Sequence, residues 1–196
     1  MPLRKIVICD GAALPDPSTL AGAIITGSHA MVTDRAGWSE DLARWLRLAI
    51  PQQLPVLGIC YGHQLLAQAL GGTVGPRALG LSFGTIPVIR TPRSDADPLF
   101  GKMPATFPAH VIHQQVVMSL PPDTVVLGQS PADPHQILRF APQVWGVQFH
   151  PEFPAAAIDG YAKALDIVPQ GDAAAAPSIS HVIGRFAALA LGEARD

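Results

Sequence analysis

Cysteine is scarce in this sequence, which holds only Cys9 and Cys60. That excludes a disulfide-stapled scaffold, and with no signal-peptide apolar core at the N-terminus the expectation is reduced thiols in a cytoplasm. Charge is scarce too: 14% of residues are charged and the net charge is −2. Nothing here builds a basic face for nucleic acid or for an anionic membrane surface. Long apolar runs are missing, so no transmembrane helix is expected. Lysine occurs three times against ten arginines, and twenty prolines accompany them, a bias of the source more than of a function. Glutamate occurs three times, at Glu40, Glu152 and Glu193. There is no internal repeat and no glycine-rich nucleotide loop. With 196 residues, 48% hydrophobic composition and a mean hydropathy of +0.28, the expectation is one compact domain over residues 1–196.

The most informative stretch is Val56-Leu57-Gly58-Ile59-Cys60-Tyr61-Gly62-His63-Gln64. Val56 to Ile59 is a short apolar run suited to a buried parallel strand. Leu65, Leu66, Ala69 and Leu70 follow at helical spacing until Gly71-Gly72 stops the helix. Cys60 therefore falls at a sharp strand-to-helix turn between two glycines, which allow a tight backbone and a closely approaching substrate. A helix N-terminus presents unpaired N–H groups and partial positive charge, favouring a thiolate and an oxyanion. This is the pattern of a nucleophile elbow with cysteine in the serine's place. The competing reading is an inert core cysteine, since this residue type is among the most buried.

A second stretch shifts the balance. Gly146-Val147-Gln148-Phe149-His150-Pro151-Glu152 begins as an apolar strand and ends in a His and a Glu two positions apart. A cysteine nucleophile needs a base to take its proton and a third group to orient that base. Pro151 bends the segment, so the carboxylate can reach back to the imidazole. One of only three glutamates stands at that spot.

Together the two stretches resemble the class I glutamine amidotransferases, which carry a Gly-x-Cys-x-Gly-x-Gln elbow and a downstream His-Pro-Glu pair. The closer resemblance is to stand-alone proteins similar to the glutaminase domain of GMP synthetase, and it runs from about Ile6 to the C-terminal helix. It implies an α/β fold in three layers: a mostly parallel central sheet, flanking helices and a small antiparallel flank, in a flavodoxin-like arrangement. It implies Cys60, His150 and Glu152 as the catalytic set. Backbone N–H groups around Gly27, Ser28 and Tyr61 would form the oxyanion hole. Gln64, His113 and Gln114 would lie beside the bound substrate, although Gln114 and Gln115 depart from the Gly and Asp that usually follow the histidine. No cofactor and no metal are implied. His110 and His113, three apart, would suit a metal only on a helix and with a third ligand, which is lacking.

Along the rest of the chain, residues 5–9 read as a first strand, 10–19 as a loop and 21–26 as a second strand. Ser39 caps a helix to about Ala49 with Leu42, Trp45, Leu46 and Ala49 inward. Residues 73–91 read as strands of an antiparallel flank and 93–106 as a connection. Residues 125–128 and 136–140 read as further strands. An amphipathic helix over 180–191 follows an Ala-rich linker at 173–177, with His181 on its surface. One departure from the resemblance stands out. About fifteen residues separate the first two strands, too few for the helix that normally lies between them. The N-terminal strand-helix unit is thus missing. Either the surviving strand fills its slot, or another chain covers the gap, or the natural N-terminus differs.

The reaction the resemblance implies is hydrolysis of glutamine's side-chain amide through a cysteinyl thioester. The ammonia would pass to a separate synthetase subunit or be released. Two alternatives stay open: a γ-glutamyl amide or peptide hydrolase with the same triad, and an amidotransferase-like regulatory or binding subunit with little activity alone. A homodimer is compatible with the sequence.

Overall fold

The computed structural model describes residues 3–174, 176 and 178–193. The main sheet has seven strands. In chain order these are β1 (Ala23–Ile25), β2 (Val56–Ile59), β4 (Ser82–Arg90), β5 (Thr106–His113), β7 (Val125–Gln129), β8 (Ile137–Ala141) and β9 (Val144–Val147). Their spatial order is β1-β2-β9-β8-β7-β4-β5. A separate antiparallel pair joins β3 (Thr73–Pro76) to β6 (Gln115–Ser119). β1, β2 and β9 pair in parallel, and every later pairing is antiparallel. Because β8 and β4 alone run backwards, five of the seven strands still point one way. The expected α/β architecture is present, with its antiparallel part extending the main sheet as well as forming the small flank.

Strand alternation builds a core on each face. Val56 and Val144 face one side; Leu57, Ile59, Trp145 and Val147 face the other. On the first side lie helices α1 (Gly37–Ala49) and α2 (Tyr61–Ala69). On the second lies α4 (His181–Ala190), which buries Val182 and Phe186 against Trp145, alongside Leu99 and Phe100. Leu42, Trp45, Leu46 and Ala49 all point inward from α1, as their spacing predicts. Ser39 does not cap it. The helix starts two residues earlier, and Ser39 is buried in the first turn, sharing a hydrogen bond with the Tyr61 hydroxyl.

The N-terminal segment corrects one expectation. Residues 5–9 form no strand; a 3-10 turn occupies Ile8–Asp10 and another Pro17–Thr19. An extended segment becomes a strand only beside a ladder partner, and β1 pairs directly with β2. The segment lies instead along α1, where Ile8, Leu14 and Leu20 pack against the core and the Trp45 indole donates to the Pro15 carbonyl at 2.7 Å. The surviving strand thus adjoins the elbow strand without a gap. Helix α3 (Ala155–Leu165), directly after the His-Pro-Glu stretch, is an element the sequence reading left unassigned. Pro154 at its N-cap and the alanine run behind it are the signal that marks it. The linker at 173–177 lies partly outside the described residues.

Candidate active site

The parallel pairing of β2 with β9 creates the site. Their register runs from Val56 beside Val144 to Ile59 beside Val147. One step further, Cys60 comes beside Gln148, and two residues on stands His150. Both chains leave the sheet at their C-terminal ends, where open α/β sheets place ligand sites.

Cys60 has φ 49° and ψ −97°, a positive φ on a residue with a side chain. That strain, about 1–3 kcal/mol, is held because the surroundings dictate it. Its N–H donates to the Val147 carbonyl at 2.8 Å, and its own carbonyl accepts the Gln64 N–H at 3.1 Å, opening α2. The two glycines are obligatory for packing. A Cβ on Gly62 would lie 2.2 Å from the Ile25 carbonyl oxygen, and one on Gly58 2.6 Å from the Gly62 backbone. The elbow thus fits between β1 and its own strand with no room for a methyl group.

His150 is 5% exposed, and its N–H donates to the His110 carbonyl at 2.8 Å. Its Nδ1 lies 2.8 Å from Glu152 Oε1, fixing the ring. Nε2 has no hydrogen-bond partner among the described residues. A point above Gly27, where a Cβ would sit, is 3.0 Å from His150 Cε1 and 3.8 Å from Cys60 Cβ, so the loop after β1 abuts both side chains. Burial alone would lower the pKa of His150, but Cys60 and Glu152 outweigh it and raise the group to about 9. The imidazole is therefore a cation at neutral pH.

The remaining predicted residues sit in different surroundings, some buried and some exposed. Tyr61 is the first residue of α2, so its N–H stands at the helix N-terminus beside Cys60. Ser28 is exposed, with Oγ accepting the Ala30 N–H at 3.1 Å. Gln64 is 4% exposed, and its Nε2 donates to the Gln115 carbonyl at 2.8 Å and to Gln148 Oε1 at 3.0 Å, so its amide nitrogen is committed inside the protein. His113 is buried on β5, with Nδ1 3.0 Å from the Gln115 carbonyl and Nε2 unpartnered among the described residues. Burial, with Arg77 and His150 nearby, pushes it down to about 4 despite Asp133, so it is neutral. Gln114 is exposed between β5 and β6, its carbonyl accepting the Arg77 N–H at 2.8 Å. Beneath it, Arg77 Nε and both Asp133 oxygens form a buried ion pair at 2.9 Å.

His110 and His113 lie on a strand, not a helix, and an odd separation there sends them to opposite faces. His110 instead pairs with Thr85 Oγ1 at 2.9 Å. Among the described residues no group of three or more His, Cys, Asp or Glu could hold a metal ion. Both cysteines are free thiols, Cys9 exposed and Cys60 buried. Among the described residues no helix is long and apolar enough to cross a membrane. Surface cavities of about 360 Å³ around Thr85 and Phe107 and about 520 Å³ around Pro92 and His135 are lined by neither Cys60 nor His150.

Sequence reasoning missed three contributors. Gln148 is 1% exposed, with Nε2 3.6 Å from Cys60 Sγ; its place two before His150 in an extended segment was the available signal. Phe153 stacks on the His150 ring, and Tyr161 from α3 stacks on Phe153 and reaches His29 Nε2 at 3.3 Å. That ladder ties the histidine to the loop after β1.

The chain is similar to known proteins both in sequence and in fold. Residues 14–160 match the family Glutamine amidotransferase class-I. The chain is 34% identical over 142 residues to a glutamine-hydrolyzing GMP synthase of Aeropyrum pernix, covering 72% of this chain and 25% of that one. It is 36% identical over 114 residues to one subunit of the glutamine-hydrolyzing GMP synthase of Methanocaldococcus jannaschii, covering 58% of each. It therefore spans about a quarter of the former relative and under two thirds of the latter. In fold it is similar to a glutamine amidotransferase of Thermotoga maritima, with a TM-score of 0.78 at 19% identity over 95% of this chain and 85% of that one. A glutamine amidotransferase of Methylobacillus flagellatus gives the same TM-score at 22% identity, over 97% and 80%. With three quarters of its length inside the family's pattern, the chain belongs to the class I glutamine amidotransferases.

Proposed function

We propose that the protein hydrolyses the side-chain amide of glutamine, with Cys60 as nucleophile, His150 as acid and base, and Glu152 as the group that orients the imidazole. The observation that carries this is the meeting of a strained Cys60 with a Glu152-bound His150 beyond the ends of two neighbouring parallel strands.

The Cys60 thiolate attacks the amide carbon, and the carbonyl π electrons move onto oxygen. The backbone N–H groups of Tyr61 and of the Gly27-Ser28 loop stabilise that oxyanion. As the tetrahedral intermediate collapses, the C–N bond breaks and His150 gives its proton to the departing ammonia. A γ-glutamyl thioester remains. Neutral His150 then takes a proton from water, the hydroxide attacks the thioester, and glutamate leaves with return of the thiolate. Glu152 holds Nδ1 throughout, so Nε2 is the nitrogen that exchanges protons. Gln64, His113 and Gln114 border the substrate side. The ammonia passes to a separate acceptor. One relative is itself a single subunit of a GMP synthase, which makes a partner synthetase chain the natural candidate. The free thiols and the chemistry suit a reducing, cytoplasmic setting.

A second reading within the same chemistry is a hydrolase of other γ-glutamyl amides or peptides. Gln114 and buried Gln115 replace a Gly-Asp pair beside His113, which changes the groups lining the leaving-group side.

The test is intact-protein mass spectrometry after treatment with a glutamine-like diazo-ketone, with Cys60→Ala as control. One adduct on Cys60, suppressed by excess glutamine, is expected, together with loss of turnover in Cys60→Ala. Absence of any adduct in folded protein, or full turnover without the sulfur, overturns the assignment. Suppression by a γ-glutamyl peptide but not by glutamine favours the second reading.

A further inference from the structure

Cys60 Sγ sits between two opposed polar groups. On one side the Ile112 carbonyl is 3.7 Å away and can only accept. On the other the Gln148 amide nitrogen is 3.6 Å away and can only donate. A thiol can give its hydrogen to the carbonyl. A thiolate cannot, and it needs donors.

The Gln148 amide is held in the donating orientation. Its Oε1 accepts from Gln64 Nε2 at 3.0 Å, and that same nitrogen also donates to the Gln115 carbonyl at 2.8 Å. Turning the Gln148 amide over would set two NH₂ groups against each other and point an oxygen at the sulfur. Both side chains are buried, at 1% and 4% exposure, so water cannot compensate for such a flip. The Gln148 backbone is fixed as well, its N–H donating to the Gln136 carbonyl at 3.0 Å.

We propose that Gln148 is a further catalytic residue, whose amide N–H holds the Cys60 thiolate while Gln64 acts as the positioning residue that locks the amide. In this arrangement His150 exchanges the proton and the α2 N-terminus supplies partial charge. Gln148 supplies the direct neutral donor that keeps the sulfur aimed away from the Ile112 carbonyl. This places Gln64 in a role other than substrate contact through its amide nitrogen. The inference rests on Cys60 being the nucleophile of the proposed reaction, but its test needs no glutamine.

The experiment measures the rate of Cys60 carbamidomethylation by iodoacetamide across pH 5–10, followed by mass spectrometry of the Cys60 peptide. Gln148→Glu keeps the volume and the acceptor for Gln64 but replaces the donor by an oxygen; Gln148→Met removes the donor to the sulfur together with the acceptor for Gln64. Both are expected to slow alkylation at pH 7 by about tenfold or more and to move the rising limb of the profile to higher pH. Gln64→Met, which frees the amide to rotate, is expected to give a smaller shift in the same direction. Unchanged profiles in variants with native circular dichroism overturn the proposal. Should the variants not fold, the unmutated protein carries the test. The Gln148 side-chain ¹⁵N–¹H resonances must move with the same pH profile as Cys60 alkylation and must not move in Cys60→Ala; a resonance indifferent to the sulfur overturns it. Failure of the glutaminase reading would appear as absent turnover and absent protection by glutamine while the Gln148 variants still shift the alkylation profile, so the two outcomes are separable.

Discussion

Phe153 lies flat against His150, with ring centroids 4.1 Å apart and planes inclined by 11°. Glu152 holds the same imidazole through Nδ1 at 2.8 Å. One contact fixes the tilt of the ring and the other its rotation, so Nε2 is directed with little freedom left. An apolar face against a cationic ring is also favourable in itself.

Phe153→Ala should therefore reduce kcat about three- to tenfold with little change in KM, because a misdirected acid weakens the transition state and not substrate binding. Phe153→Tyr keeps the stack and should retain most of the rate. Steady-state ammonia release measures both. An equal fall in the two variants would refute the stacking argument.

The charge on His150 makes a prediction about pH. Its folded pKa, about 9, lies above the ordinary 6.5, so protonation favours the folded state. That contribution is complete below about pH 6.5 and disappears as pH rises through 9. It is on the order of 3 kcal/mol. Urea unfolding should show stability declining between those values, with a visibly smaller decline in Glu152→Gln and in Cys60→Ala, each of which removes one group that raises the pKa. A wild-type curve flat over that range would contradict the assigned charge.

Gly62→Ala should destabilise the protein by about 3 kcal/mol or more, since the new methyl would meet the Ile25 carbonyl oxygen at 2.2 Å. Gly160→Ala in α3, where a Cβ meets nothing within 4 Å, should be neutral or slightly stabilising. Thermal melts of the two variants give opposite signs if the packing around the elbow is as described.

Asp133→Asn should cost about 3–5 kcal/mol, because Arg77 would remain buried with its charge uncompensated. The double replacement Arg77→Met, Asp133→Leu should recover much of that loss. Denaturant titrations of the three proteins measure the difference. Equal stability of the single and double variants would refute the argument that the loss comes from an uncompensated buried charge.

The proposed catalytic set was legible because it is written locally. A short apolar strand, a cysteine flanked by glycines, and a helix stop fix the elbow within the seventeen residues from Val56 to Gly72. His150 and Glu152 are two positions apart with a proline between them. The inward face of α1 was likewise legible from its spacing at Leu42, Trp45, Leu46 and Ala49. The segment at residues 5–9 was misread because strand propensity is not a strand: β1 pairs with β2, and the segment packs on α1. Helix α3 was overlooked where alanines gave little hydrophobic contrast.

By itself the sequence determined that a cysteine stands at a strand-to-helix turn and that a His-Pro-Glu pair closes a second apolar strand, since both depend only on backbone geometry and neighbouring residue types. Only the tertiary structure decided that the two strands are adjacent and in a register that sets Gln148 beside Cys60. It alone decided that Gln64 turns its amide nitrogen inward and that Phe153 and Tyr161 brace the histidine. Those relations join residues tens of positions apart, and they arise from strand pairing and close packing, which no local pattern encodes.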